Sequence, residues 1–145
     1  MRLLKNKKIL LIDDAKDTQI IVRKIIEASS ATFFGALTVD EGLSIFEENS
    51  PHIVLVDLNM PDKSGFDFLI HRRNKEQLKA TPAIVLSGRN DQESVNRAIG
   101  LDASDYVLKP LNASLLLQKI RKHLRTLKFA SYSFPPGSEI GRAHV

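Results

Sequence analysis

The sequence predicts an α/β fold, a doubly wound parallel sheet of five strands with five helices. Three observations carry this reading. Short apolar runs, each about the length of one strand, recur along the chain and end in polar residues. Stretches with apolar residues at helical spacing separate them. Strand and helix alternate five times with no internal repeat, which argues for a parallel sheet covered on both faces.

The first strand is Lys8-Ile9-Leu10-Leu11-Ile12, ending at Asp13-Asp14. A helix follows Asp17-Thr18, with Ile20, Ile21, Val22, Ile25 and Ile26 as its apolar stripe, and Ser29-Ser30 ends it. Thr32 to Thr38 reads as the second strand, weakened by Gly35. Asp40 is expected to cap a short helix with Leu43, Ile45 and Phe46, which stops at Asn49-Ser50-Pro51. Ile53-Val54-Leu55-Val56 is a strand buried on both faces, ending at Asp57. Asp62 or Ser64 caps the third helix, whose buried side is read as Phe66, Phe68, Leu69 and Ile70. Pro82 introduces the fourth strand, Ala83-Ile84-Val85-Leu86, which ends at Ser87-Gly88. Residues 91–99 form a weakly apolar helix (Val95, Ala98, Ile99) closed by Gly100, the helix least held by packing. Asp105-Tyr106-Val107-Leu108 is the fifth strand, ending at Lys109-Pro110. The last helix runs from about Asn112 to Lys128 with Leu116, Leu117, Ile120, Leu124 and Leu127 on one face. Residues 1–128 are therefore read as one domain. The tail, 129–145, is rich in Pro, Gly and Ser and is read as a linker, a disordered terminus or vector-derived residues.

Composition narrows the classes. With 43% hydrophobic and 26% charged residues the chain falls in the range of soluble globular proteins. The absence of cysteine excludes disulfides, thiolate nucleophiles and Cys-based metal sites. No apolar run approaches the roughly 20 residues of a membrane span, so a cytoplasmic protein with no membrane partner is expected. The net charge of +4 owes much to Lys119, Arg121, Lys122, Arg125 and Lys128. These read as a solvated helix face, and no direct nucleic-acid binding is expected.

The strand ends carry the chemistry. In an open parallel sheet all strand C-termini share one edge, where ligands bind. Four of those ends hold Asp13-Asp14, Asp57, Ser87 and Lys109. Asp57 alone could be a simple cap, a common use of Asp at strand ends. Gathered together, though, two carboxylates about 4 Å apart repel by about 4 kcal/mol at an effective dielectric of 20. One lysine cannot offset three such groups, so a divalent cation is expected, and an all-oxygen pocket suits Mg²⁺ or Mn²⁺. A carboxylate beside a hard cation, a Lys and a hydroxyl suits phosphoryl transfer, with Asp57 as acceptor and Lys109 and Ser87 supporting the equatorial oxygens. Gly88 leaves room beside Ser87 for the phosphoryl group.

These residues, with Met60-Pro61, Gly65, Tyr106 and Lys109-Pro110, resemble the receiver domain of two-component response regulators (CheY-like) from roughly Lys7 to Leu127. The resemblance implies the flavodoxin-like strand order 2-1-3-4-5. It implies that Asp57 takes a phosphoryl group from a phosphohistidine on a histidine kinase or histidine phosphotransfer protein. It also implies Mg²⁺ held by Asp13 or Asp14, Asp57 and the main-chain carbonyl of Asn59, and a cis peptide before Pro110. Ser87 and Tyr106 would form the switch. A downstream protein effector would bind the face made by the fourth helix, fifth strand and fifth helix. The domain is then a phosphoacceptor that assists its own phosphoryl transfer and dephosphorylation, and not otherwise an enzyme.

Other readings stay open at this point. A haloacid-dehalogenase-type phosphatase shares the Asp nucleophile and Mg²⁺, but Ala15 stands where that family needs its second spaced Asp. A flavodoxin-like cofactor binder would need Ser, Thr or Gly where Asp13-Asp14 stand. A phosphorylation-independent interaction module would not need Asp57, Ser87 and Lys109 together. His52, His71, His123 and His144 pair with no motif and are read as surface or core histidines.

Overall fold

A computed structural model describes residues 3–130, with side chains through Leu124. In chain order the elements are β1 (Lys8–Ile12), α1 (Lys16–Ala28), β2 (Thr32–Ala36), α2 (Val39–Asn49), β3 (Ile53–Asp57) and α3 (Gly65–Arg73). They continue with α4 (Glu76–Lys79), β4 (Ala83–Ser87), α5 (Gln92–Gly100), β5 (Asp105–Leu108) and α6 (Ala113–Ala130). The strands form one parallel sheet in the order β2-β1-β3-β4-β5, as the resemblance implies.

The two sheet faces bury separate cores, because alternate residues of each strand point to opposite sides. Leu10, Ile12, Val54, Val56 and Val85 pack with Val39 and Phe46 of α2, Phe66, Phe68 and Leu69 of α3, and Ala98 of α5. Ile9, Leu11, Ile53, Leu55, Ile84, Leu86 and Val107 pack with Val22 and Ile26 of α1 and Leu116, Ile120 and Leu124 of α6. Every residue of β3 and β4 is buried, which is why these strands read as unbroken apolar runs.

Several expectations are corrected. Among the described residues the helices number six, not five, because the one-turn α4 lies between α3 and β4, anchored by buried Leu78. The expected output face is therefore α5–β5–α6 here. Thr38, not Asp40, caps α2: its hydroxyl accepts the Glu41 N–H at 3.1 Å while its backbone is extended. Ser64 caps α3 in a reciprocal box with Asp67. β2 ends at Ala36, two residues short of the reading. Ile20 and Ile21 of the α1 apolar stripe, and Ile70 on the side of α3 expected to be buried, are exposed at 54%, 50% and 38%. Leu127, Arg125, Lys128, His144 and the tail beyond Ala130 lie outside the described side chains or residues.

At the rim opposite the strand C-termini sits a buried arginine. Arg72 of α3 is 5% exposed and donates from Nε to the Thr81 carbonyl and from a terminal nitrogen to the Asp102 carbonyl, both at 2.9 Å. It thus joins the loops that enter β4 and β5. Burial lowers its pKa, opposed by Asp102.

Candidate functional site

The sheet order sets β3 between β1 and β4, with β5 beyond β4, so Asp13, Asp57, Ser87 and Lys109 leave adjacent strands on one edge. The carboxylates of Asp13, Asp14 and Asp57 each offer an oxygen within 4.8 Å of the others. Asp13 is wholly buried and Asp57 nearly so, whereas Asp14 is exposed. Lys109 Nζ donates to Asp13 Oδ2 at 2.8 Å and lies 3.8 Å from Asp57 Oδ2. Among the described residues, one lysine thus meets three acids at this edge.

Asp57 feels that imbalance. Burial pushes its pKa above the ordinary carboxylate value and the charge of Asp13 adds to the rise. Lys109 and the main-chain N–H groups of Asn59 and Leu58 pull the other way without cancelling it. An all-oxygen donor set carrying surplus negative charge fits a hard divalent cation.

Ser87 is fully buried, and its hydroxyl accepts the Arg89 N–H at 3.1 Å. The Tyr106 hydroxyl donates to the Arg89 carbonyl at 2.7 Å. The two expected switch residues are thus linked through the main chain of one residue, which the sequence did not single out. A Cβ at Gly88 would meet nothing within 4 Å, in keeping with open space beside Ser87. The Lys109–Pro110 peptide is cis. Lys109 N–H donates to the Ser87 carbonyl at 2.9 Å, extending the β4–β5 ladder to the lysine.

Among the described residues, the histidines stay out of this pocket. His52 Nδ1 accepts the Lys8 N–H at 2.9 Å, and His123 Nε2 lies 2.9 Å from Asp105 Oδ2. Lys119 Nζ reaches the other oxygen of Asp105 at 2.7 Å. Among the described residues, no helix is long and apolar enough to cross a membrane.

Comparison with known proteins decides the family. The response regulator receiver domain matches residues 9–121. The chain belongs to that family. This receiver domain is 30% identical over 117 residues to the KDP operon transcriptional regulatory protein KdpE of Escherichia coli, covering 81% of this chain and 51% of that protein. It is 29% identical over 121 residues to the chemotaxis protein CheY-3 of Vibrio cholerae, covering 81% and 92%. The chain thus spans about half the length of the first relative and nearly all of the second. Among solved structures, a CheY-like receiver domain protein from Methanospirillum hungatei superposes with a TM-score of 0.79 at 26% identity, covering 85% of this chain and 97% of that one. A response regulator from Clostridium difficile at 24% identity and a TM-score of 0.77, covering 83% and 97%, supports the fold. The receiver domain is therefore one of two-component response regulators.

Proposed function

We propose that Asp57 accepts a phosphoryl group from a phosphohistidine on a partner histidine kinase or histidine phosphotransfer protein. The observation that carries the reading is the gathering of Asp13, Asp14 and Asp57 within 4.8 Å, with Lys109 bridging Asp13 and Asp57. Asp13, Asp14, Asp57 and the Asn59 main-chain carbonyl would hold Mg²⁺, or Mn²⁺ in its place. The ion, when bound, supplies positive charge beside the oxygens of the phosphoryl group.

Transfer forms a bond between an Asp57 carboxylate oxygen and phosphorus as the phosphorus–nitrogen bond of the donor breaks, its electron pair returning to the imidazole. Burial and the charge of Asp13 raise the Asp57 pKa in the metal-free pocket, so a bound cation would offset the cost of the ionised, nucleophilic carboxylate. Lys109 balances charge on the equatorial oxygens, and Ser87 donates to one of them. Asn59, exposed beside the acceptor, borders the approach of the water that later hydrolyses the acyl phosphate.

The product carries about two negative charges where one stood. Charge-assisted hydrogen bonds from Ser87 and Lys109 are worth about 1.5–3 kcal/mol each. Inverting a two-state equilibrium from 1:99 to 99:1 takes about 5.5 kcal/mol, so the pair shifts the balance strongly and a partner completes it. Ser87 moves toward the phosphoryl group, Tyr106 follows, and the α5–β5–α6 face changes for a downstream protein effector. Acetyl phosphate with Mg²⁺ is expected to label the protein, and Asp57→Asn to abolish the label. Label that survives this change places the acceptor elsewhere and overturns the reading.

A further inference from the structure

We propose that Gln19 is a positioning residue that holds Asp13 for magnesium, an inference that rests on the reading of the pocket above. Every polar atom of the wholly buried Asp13 is engaged. Its N–H donates to the Ala36 carbonyl at 3.0 Å, Oδ1 accepts from the Ala15 N–H at 2.9 Å, and Oδ2 accepts from Lys109 at 2.8 Å. Its carbonyl accepts from Gln19 Nε2 at 2.9 Å.

The same Nε2 also donates to the Ala36 carbonyl at 2.9 Å, so one side-chain amide clamps the exit of β1 to the end of β2. Two carbonyl oxygens near enough to share one NH₂ group repel each other unless a donor lies between them. Gln19, half-buried at the start of α1, is that donor.

Gly35 explains how the amide fits. A Cβ at this position would stand 2.2 Å from Gln19 Oε1, so any larger residue in β2 displaces the amide. The displaced atom is the end of a flexible side chain, so Gly35→Ala can move it without disrupting the strand. Asp13 has little freedom to drift while the clamp holds, and the carboxylate position is part of what a small, geometrically strict ion demands.

The test uses two variants that remove the clamp by different means. Gln19→Met keeps length and helix propensity but has no donor. Gly35→Ala keeps the donor and evicts it. Magnesium is titrated by amide NMR, and exchange of the Asp13 amide is followed in the metal-free protein. Each variant is expected to raise the magnesium Kd by at least about tenfold, the lower end of what ligand-orienting groups contribute. Each should also speed Asp13 exchange, and the double variant should be little worse than either single one. A smaller rise in Gln19→Met, or effects of the two changes that multiply, overturns the proposal. If the unaltered protein binds no magnesium, the reading of the pocket falls. The positioning role is then decided by Asp13 exchange alone, unchanged exchange in Gln19→Met overturning it.

Discussion

The first residue of α3 presses against the carbonyl of Asp57, the proposed phosphoacceptor: a Cβ on Gly65 would lie 2.3 Å from the main-chain oxygen of Asp57. It would also lie 2.9 Å from the Asp57 carbonyl carbon and the Leu58 Cα. All three are backbone atoms, so none can swing aside as a side-chain tip could. The Gly65 N–H, meanwhile, donates to the Leu58 carbonyl at 3.2 Å, which draws the two segments together. Gly65→Ala is expected to cost about 1–3 kcal/mol of stability, as overpacking does, and to slow labelling of Asp57. Thermal melting and acetyl phosphate labelling check both. An alanine variant with unchanged melting would show that the turn yields more easily than its geometry suggests.

Lys109 offers a sharper division between binding and transfer. Its Nζ sits on Asp13 Oδ2 at 2.8 Å, one of the carboxylate oxygens of the proposed magnesium site. Lys109→Gln is expected to slow labelling by about 10²–10³-fold, the usual loss when one donor to a developing oxyanion is removed. Magnesium affinity should hold or rise, because a competing cation has gone. Calorimetric titration alongside the labelling assay separates the two. Weakened magnesium binding would mean that Lys109 chiefly organises the acids.

Much of the fold and of the pocket can be read from the sequence, for a physical reason. Strands buried on both faces leave unbroken apolar runs, and polar residues at their ends stand out against them, as Asp13, Asp57, Ser87 and Lys109 do. Features set by tertiary neighbours stay hidden. Adjacent isoleucines such as Ile20 and Ile21 carry no phase, so the buried stripe of α1 falls on Val22 and Ile26 instead. Thr38 and Asp40 are both good caps, and the extended backbone at Thr38 chooses between them. A single turn such as α4 is too short for periodicity. The roles of Gly35, Gly65 and Arg72 come from atoms distant in sequence, and a charged residue such as Arg72 reads as surface until its carbonyl partners are seen.

On the proposed output face, α5 buries little apolar surface of its own. Ala98 is its buried apolar residue, and Ile99 is 60% exposed. Arg97 compensates by stacking on the Phe66 ring of α3, with its guanidinium carbon 4.1 Å from the ring centroid. Arg97→Ala is expected to cost about 0.5–2 kcal/mol and to speed amide exchange across 92–100 more than in β4. Uniform acceleration throughout the sheet would instead assign the loss to global stability.

Acid should weaken the fold through His52. Burial chiefly, with the charges of Lys7 and Lys8, lowers its pKa below the ordinary 6.5. Nδ1 must be unprotonated to accept the Lys8 N–H, so the native state binds a proton more weakly than the unfolded chain. Stability is full above pH 6.5 and declines as the pH falls through the lower native value. His52→Asn keeps an acceptor but does not titrate, and denaturant melts should show a shallower loss between about pH 7 and pH 5 than the unaltered protein. An equal slope in both proteins assigns the acid sensitivity to carboxylates.

The Arg72 crosslink bears on how far a local event can travel. One guanidinium fastens the entrances of both β4 and β5, while Ser87 and Lys109 stand at the opposite ends of the same two strands. Under the switch proposed above, a shift of Ser87 would then be taken up at the C-terminal ends of these strands, where the chain enters α5, and not at the tied rim.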